Sequence, residues 1–95
     1  MNKYEIALVV STRIDDDQRN AALEKVKSYI DRYQGSVVDV DDQGKKRMAY
    51  EIQDMKEGYY YFITFEGPVD APARIEKKLR IMDSVIRFLI VRQDA

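Results

Sequence analysis

The chain has 95 residues, 45% hydrophobic and 35% charged, with a formal net charge of −1. That describes one globular domain over residues 1–95 with a single core, and excludes both a disordered chain and a protein that coats nucleic acid through bulk positive charge. There is no cysteine and no histidine, which removes disulfide frameworks, thiol nucleophiles, zinc sites built on Cys or His, and imidazole acid–base chemistry.

Residues 3–10 alternate, with Tyr4, Ile6, Leu8 and Val10 on one side and Lys3, Glu5, Ala7 and Val9 on the other. This predicts a strand whose even positions face the core. Asp15-Asp16-Asp17 supplies an N-cap and first-turn carboxylates that complement a helix dipole. Ala22, Leu23, Val26, Tyr29, Ile30 and Tyr33 then recur at helical spacing, with Lys25, Lys27, Asp31 and Arg32 on other faces, and Gly35 is expected to close the helix.

Residues 36–40 form a short β-rich run, Asp42-Gln43-Gly44 carries turn or bulge chemistry, and Met48, Tyr50 and Ile52 alternate with Arg47, Ala49 and Glu51. One irregular strand fits better than a separate hairpin around Gly44, because a turn over residues 53–58 leads straight back into residues 59–66. In that run Tyr59, Tyr61, Ile63 and Phe65 make the apolar, core-facing side. Gly67-Pro68 breaks the strand, and Asp70 is expected to cap a second helix with Pro72 in its first turn, Ile75 and Leu79 buried, and an end near residue 81 or 82. A last strand over residues 85–91 points Ile86, Phe88 and Ile90 inward and Arg87, Leu89 and Val91 outward, before a short tail over residues 93–95. No signal peptide or long apolar run is visible, so a cytoplasmic protein without membrane contact is expected.

Strand, helix, strand, strand, helix, strand is the split βαβ order of a ferredoxin-like α+β domain (βαββαβ). It predicts a four-stranded antiparallel sheet with both helices on one face. The other face is open. With the first and third strands central, Ala7, Val9, Tyr60 and Phe62 are neighbours there, joined by Leu89 and Val91 from an edge, and such an apolar patch suits a protein partner.

Several constellations compete for a function. Gly58-Tyr59-Tyr60-Tyr61-Phe62-Ile63-Thr64 resembles the aromatic strand of an RNA-recognition motif, but Glu57, Tyr60 and Thr64 depart from that signature, and Tyr59 and Tyr61 belong to the core side. The aspartate triplet suits capping better than a metal or phosphoryl-transfer site. A small-molecule regulatory or acyl-phosphate-processing module shares this topology, yet no glycine-rich phosphate loop is present. No catalytic residue, metal, cofactor or small-molecule substrate is therefore expected.

Lys45-Lys46-Arg47 groups three cations beside a turn, where a solvated edge that discourages strand-to-strand association is the plain alternative. Alternation points Arg47, Arg87 and Lys3 to the open face, while Tyr4 and Tyr50 face inward with hydroxyls at the rim. Cations flanking an apolar patch suit a surface that meets both a protein and a phosphate backbone. Arg80, at the end of the second helix, and Arg92, at the end of the last strand, complete the candidate RNA contacts.

Tyr4-Glu5, then Gly44-Lys45-Lys46-Arg47-Met48-Ala49-Tyr50-Glu51-Ile52, then Gly58-Tyr59 and Leu79-Arg80-Ile81-Met82-Asp83-Ser84-Val85-Ile86-Arg87 together resemble the family of the sixth protein of the bacterial small ribosomal subunit. The likeness runs from Tyr4 to Arg92. It implies a non-enzymatic ribosomal protein that pairs with ribosomal protein eighteen of the same subunit and binds the central domain of small-subunit rRNA. The family usually has Arg and Leu where this chain has Lys46 and Met48; lysine keeps the charge but loses bidentate phosphate recognition. Many members carry a longer C-terminal extension, so contacts made by such an extension are not expected here.

Overall fold

The computed structural model describes residues 2–52 and 54–93. Its elements follow in the order β1 (Asn2–Val10), α1 (Asp16–Arg32), β2 (Ser36–Ile52), β3 (Met55–Gly67), α2 (Ala71–Leu79) and β4 (Val85–Arg92). All strand pairs are antiparallel and the sheet order is β2-β3-β1-β4, the ferredoxin-like arrangement. Tyr4, Ile6, Leu8 and Val10 of β1 and Tyr61, Ile63 and Phe65 of β3 meet Ala22, Val26, Tyr29 and Ile30 of α1 and Ala71, Ile75 and Leu79 of α2 in one core. Period-two alternation therefore aims the two central strands as predicted, and Tyr59 packs at the margin of that core.

The helix ends follow from local hydrogen bonding. Asp15 Oδ1 accepts from the Gln18 amide at 2.8 Å, and Gln18 Oε1 accepts in return from the Asp15 amide at 3.0 Å, closing a capping box. At the other end it is Gln34, with φ 67°, that takes the left-handed position. The Gln34 amide donates to the Asp31 carbonyl at 3.0 Å and the Gly35 amide to the Ile30 carbonyl at 2.8 Å, a Schellman motif. Gly35 is needed for close approach instead: a Cβ there would lie 2.8 Å from Ile30 Cγ2 and 3.1 Å from the Glu66 carbonyl oxygen.

Asp70 occupies the N-cap of α2 but does not cap it. Its backbone is helical (φ −90°, ψ −7°) rather than extended, and its carboxylate pairs with Arg74 at 3.1 Å. The helix ends at Leu79, before residue 81, and Met82 closes the following turn by donating to the Leu79 carbonyl at 3.1 Å.

β2 is one irregular strand, as expected, with three breaks in register. One extra residue, Gln43, lies between Asp42, opposite Tyr61, and Gly44, opposite Tyr60, and Gly44 takes φ 73°. This bulge reverses the alternation: Val40 and Asp42 share the inward side of Ile63 and Tyr61, whereas Gly44 and Lys46 share the open side of Tyr60 and Gly58. The connection to β3 is also tighter than the expected turn over residues 53–58. Ile52 pairs with Met55, Asp54 turns with φ 63°, and residues 55–58 are already strand. Gln53, like Asp94 and Ala95 of the expected tail, lies outside the described residues.

In β4, Val85 pairs with Val10 and Arg87 with Val9, which leaves Ile86 as an extra residue. Ile86 therefore leaves the inward row predicted for it and packs with Val9, Met48 and Met55, while Phe88 and Ile90 stay on the helix side.

Candidate functional site

The register sets the open face out as rows that cross the sheet. One row runs Val91, Glu5, Thr64, Asp39; the next Leu89, Ala7, Phe62, Asp41; the third Arg87, Val9, Tyr60, Gly44. Adjacent members of a row stand about 5 Å apart. Five of the six apolar candidates remain accessible on this face. Leu89 is 61% and Val91 41% exposed, and Ala7, Tyr60 and Phe62 are half-buried. Val9 is not available: it faces the open side but is only 6% exposed.

The β2–β3 hairpin covers it. Between the Arg47–Glu57 and Ile52–Met55 pairs, residues 48–51 of β2 stand opposite Lys56 alone, so β2 arches over the shorter strand. The arch lays Met48 and Met55 on Val9, with Ile52, Tyr60 and Ile86 around them, as a second small core on the open side. Gly58 makes this possible, because a Cβ at that position would collide with Val9 Cγ1. Ser11, buried at the end of β1, donates from Oγ to Met55 Sδ at 3.4 Å and fixes the start of β3.

Tyr50 is not a core residue. The reversed alternation and the arch leave it 61% exposed, and its hydroxyl accepts a hydrogen bond from Arg87 Nη1 at 2.8 Å. Met48 and Ile52 are buried or half-buried, but in the second cluster rather than under the helices.

The seven candidate cations do not converge on one rim. Lys46, opposite Gly58, and Arg87, opposite Val9, share the open face at its hairpin end. Lys46 Nζ donates to Gln43 Oε1 at 2.8 Å. Lys45 and Arg47 pair with Tyr59 and Glu57, so they lie on the helix side of the hairpin, and the expected open-face placement of Arg47 fails because the Gln43 bulge resets parity. Arg80 caps the end of α2 and pairs with Glu76 at 2.6 Å. Lys3 lies on the open face at the far end of β1, about 20 Å from Val9 at the strand rise. Arg92, opposite Tyr4, is at that far end on the helix side and donates from Nη2 to Asn2 Oδ1 at 3.0 Å.

Two features escaped the sequence reading. Glu5, Asp39 and Asp41 stand on the open face beside the apolar rows and, with Gln43, Phe62 and Thr64, line a groove of about 290 Å³. Their shared face is visible only in the register of β2 and β1 against β3. The second is Arg19, whose Cζ lies 4.0 Å from the centroid of Tyr59 and whose Nη1 pairs with Asp16 at 2.8 Å, tying the first turn of α1 to β3. The aspartate triplet is thus engaged locally, Asp15 as cap and Asp16 in this pair.

Comparison with known proteins adds the family context. A family model described as ribosomal protein S6 matches residues 3–92. The small ribosomal subunit protein bS6 of Alkaliphilus oremlandii is 37% identical over 92 residues, spanning 97% of both chains. That of Chlamydia trachomatis serovar D is 40% identical over 92 residues, 97% of this chain and 82% of the relative. The crystal structure of the 30S ribosomal protein S6 from Thermotoga maritima superimposes with a TM-score of 0.92 at 26% identity, covering 97% of this chain and 87% of that one.

Proposed function

The chain belongs to the ribosomal protein S6 family and is a structural protein of the small ribosomal subunit rather than an enzyme; from that premise we propose that it binds the central domain of small-subunit rRNA jointly with ribosomal protein eighteen. Its place of action is then the cytoplasmic ribosome. The observation that carries this reading is the open sheet face, where Ala7, Phe62, Leu89 and Val91 form an uncovered apolar strip that ends at Tyr60 and the cations of the hairpin. Exposed apolar surface beside separated cations suits a protein contact that is extended by a few phosphate contacts.

In this division of labour Ala7, Tyr60, Phe62, Leu89 and Val91 meet the protein partner. Lys46 and Arg87 touch phosphates at one end of the open face, and Lys45, Arg47 and Arg80 reach RNA from the helix side. Lys3 and Arg92 contact it only where the RNA extends to the far end of the sheet. A net charge of −1 and cations spread over two faces make RNA affinity of the isolated chain weak. Titrating small-subunit rRNA fragments with the chain alone and with ribosomal protein eighteen tests the reading. Binding is expected to tighten sharply with the partner, and tight, sequence-specific binding by the chain alone would overturn it. Co-sedimentation with the small subunit at high salt is expected as well.

A further inference from the structure

Docking a protein on the apolar strip leaves Glu5, Asp39 and Asp41 without a task, although they line a groove in the same face. Glu5 is half-buried on a central strand, between Thr64 and Val91, so it is not a casual surface charge. No ion pair among the described residues engages any of the three. Asp41 accepts a hydrogen bond from Gln43 Nε2 at 2.6 Å, which holds its carboxylate at the groove without neutralising it. Glu66 stands opposite Lys3 in the outermost row. The open face is therefore bipolar. Carboxylates occupy its middle and its β2 edge, and Lys46 and Arg87 occupy its hairpin end.

Asp39 and Asp41, two residues apart on β2, and Glu5, two strands away on β1, repel a phosphate backbone over a Debye length of about 8 Å at physiological salt. The same charges attract lysine and arginine. We infer that the groove lined by Glu5, Asp39 and Asp41 selects a cationic protein segment, whose apolar side chains lie on Ala7, Phe62 and Leu89 while its Lys or Arg side chains enter the groove. The inference rests on the docking of a protein partner to this face proposed above, and it adds the partner's chemistry and orientation. The basic side of that segment crosses the β1, β3 and β2 strands, and on the open face RNA is kept to the ends, at Lys46 and Arg87 by the hairpin and at Lys3 opposite. Asp39 and Asp41, two residues apart on one face of β2, are placed to receive an arginine fork or two lysines.

Two variants of the full chain test this against purified ribosomal protein eighteen, with affinity measured by calorimetry at low and high salt. Glu5→Gln/Asp39→Asn/Asp41→Asn keeps side-chain shape and removes charge. Leu89→Ala/Val91→Ala removes apolar contact and keeps charge. The first variant is expected to bind roughly tenfold more weakly at low salt and to lose most of the salt dependence, since each exposed pair is modest but several act together. The second is expected to weaken binding at both salt concentrations with the salt dependence retained. Wild-type affinity and salt dependence in the charge variant, with the apolar variant weakened, overturns the inference and leaves the docking face standing. If neither variant alters partner affinity, the docking face itself is wrong. If the charge variant gains affinity for small-subunit rRNA while partner affinity is unchanged, the carboxylates exclude RNA rather than read a protein, and the inference again fails.

Discussion

The Arg87 guanidinium donates to the Tyr50 hydroxyl at 2.8 Å and its Cζ lies 5.7 Å from the centroid of that ring, joining β4 to the arch of β2 across the end of the sheet. Both side chains are exposed, so the pair is worth less than about 1 kcal/mol. Its effect is local. Tyr50→Ala is expected to raise amide hydrogen exchange across residues 48–51 severalfold with little change in global unfolding, and Tyr50→Phe to fall between it and the wild type. Unchanged exchange would mean that Met48 and Met55 alone hold the arch.

Gly58 lies against Val9 so closely that any side chain must displace it. Gly58→Ala is expected to destabilise the chain by about 1–3 kcal/mol, as overpacking does. Val9→Ala removes the obstructing methyl groups, so the double variant should lose less than the sum of the two single losses. A denaturant-unfolding double-mutant cycle measures that coupling, and strict additivity would place the strain elsewhere.

Burial, followed by the charge of Asp42, pushes the Tyr61 hydroxyl above its ordinary pKa of 10.0. In the unfolded chain the phenol loses its proton first, so above pH 10 the native state binds more protons than the unfolded state. Its contribution to stability is complete below that pH and is lost as pH rises towards the folded value. Tyr61→Phe should therefore flatten the alkaline fall of unfolding free energy, followed in urea from about pH 8 to about pH 11. An equally steep fall in the variant would assign the alkaline limb to other groups.

The division of cations between faces has a salt signature. Lys46→Ala/Arg87→Ala is expected to make the slope of log K against log salt for the ternary assembly shallower by roughly 1.5–2. Lys3→Ala/Arg92→Ala, at the far end, should change it less. The opposite ranking would move the phosphate contact to the far end of the sheet. Because Arg87 also holds Tyr50, Tyr50→Phe serves as the control that loosens the arch without removing a cation.

The fold was legible in the sequence wherever alternation or helical spacing ran unbroken. Tyr4, Ile6, Leu8 and Val10 face the core because nothing interrupts β1, and Ile75 and Leu79 because α2 is regular. Parity failed where one strand gained residues over its neighbour. Gln43 and Ile86 are single insertions that alternation cannot see, and they moved Arg47 to the helix side and Ile86 to the open side. The arch over residues 48–51 took Tyr50 out of the core for the same reason. Gly44 announced a bulge, but only the partner strand reveals which face the following residues occupy. The acidic groove stayed hidden longer still, because Glu5 joins Asp39 and Asp41 only through Thr64 and Phe62 in the intervening strand.

The sheet order also bears on how the chain reaches this state. β1 pairs on one edge with β3 and on the other with β4, so the first strand and the last lie side by side, with Tyr4 opposite Arg92 and the Gln93 amide donating to the Lys3 carbonyl at 2.8 Å. The β2–β3 hairpin closes through Asp54 and can form early from neighbouring residues. The β1–β4 ladder needs the longest loop closure in the molecule, and until it forms a central strand keeps one edge unpaired. The β1–β4 pairing thus carries a large loop-closure cost, and the interval before β4 pairs leaves β1 open to pairing with another chain.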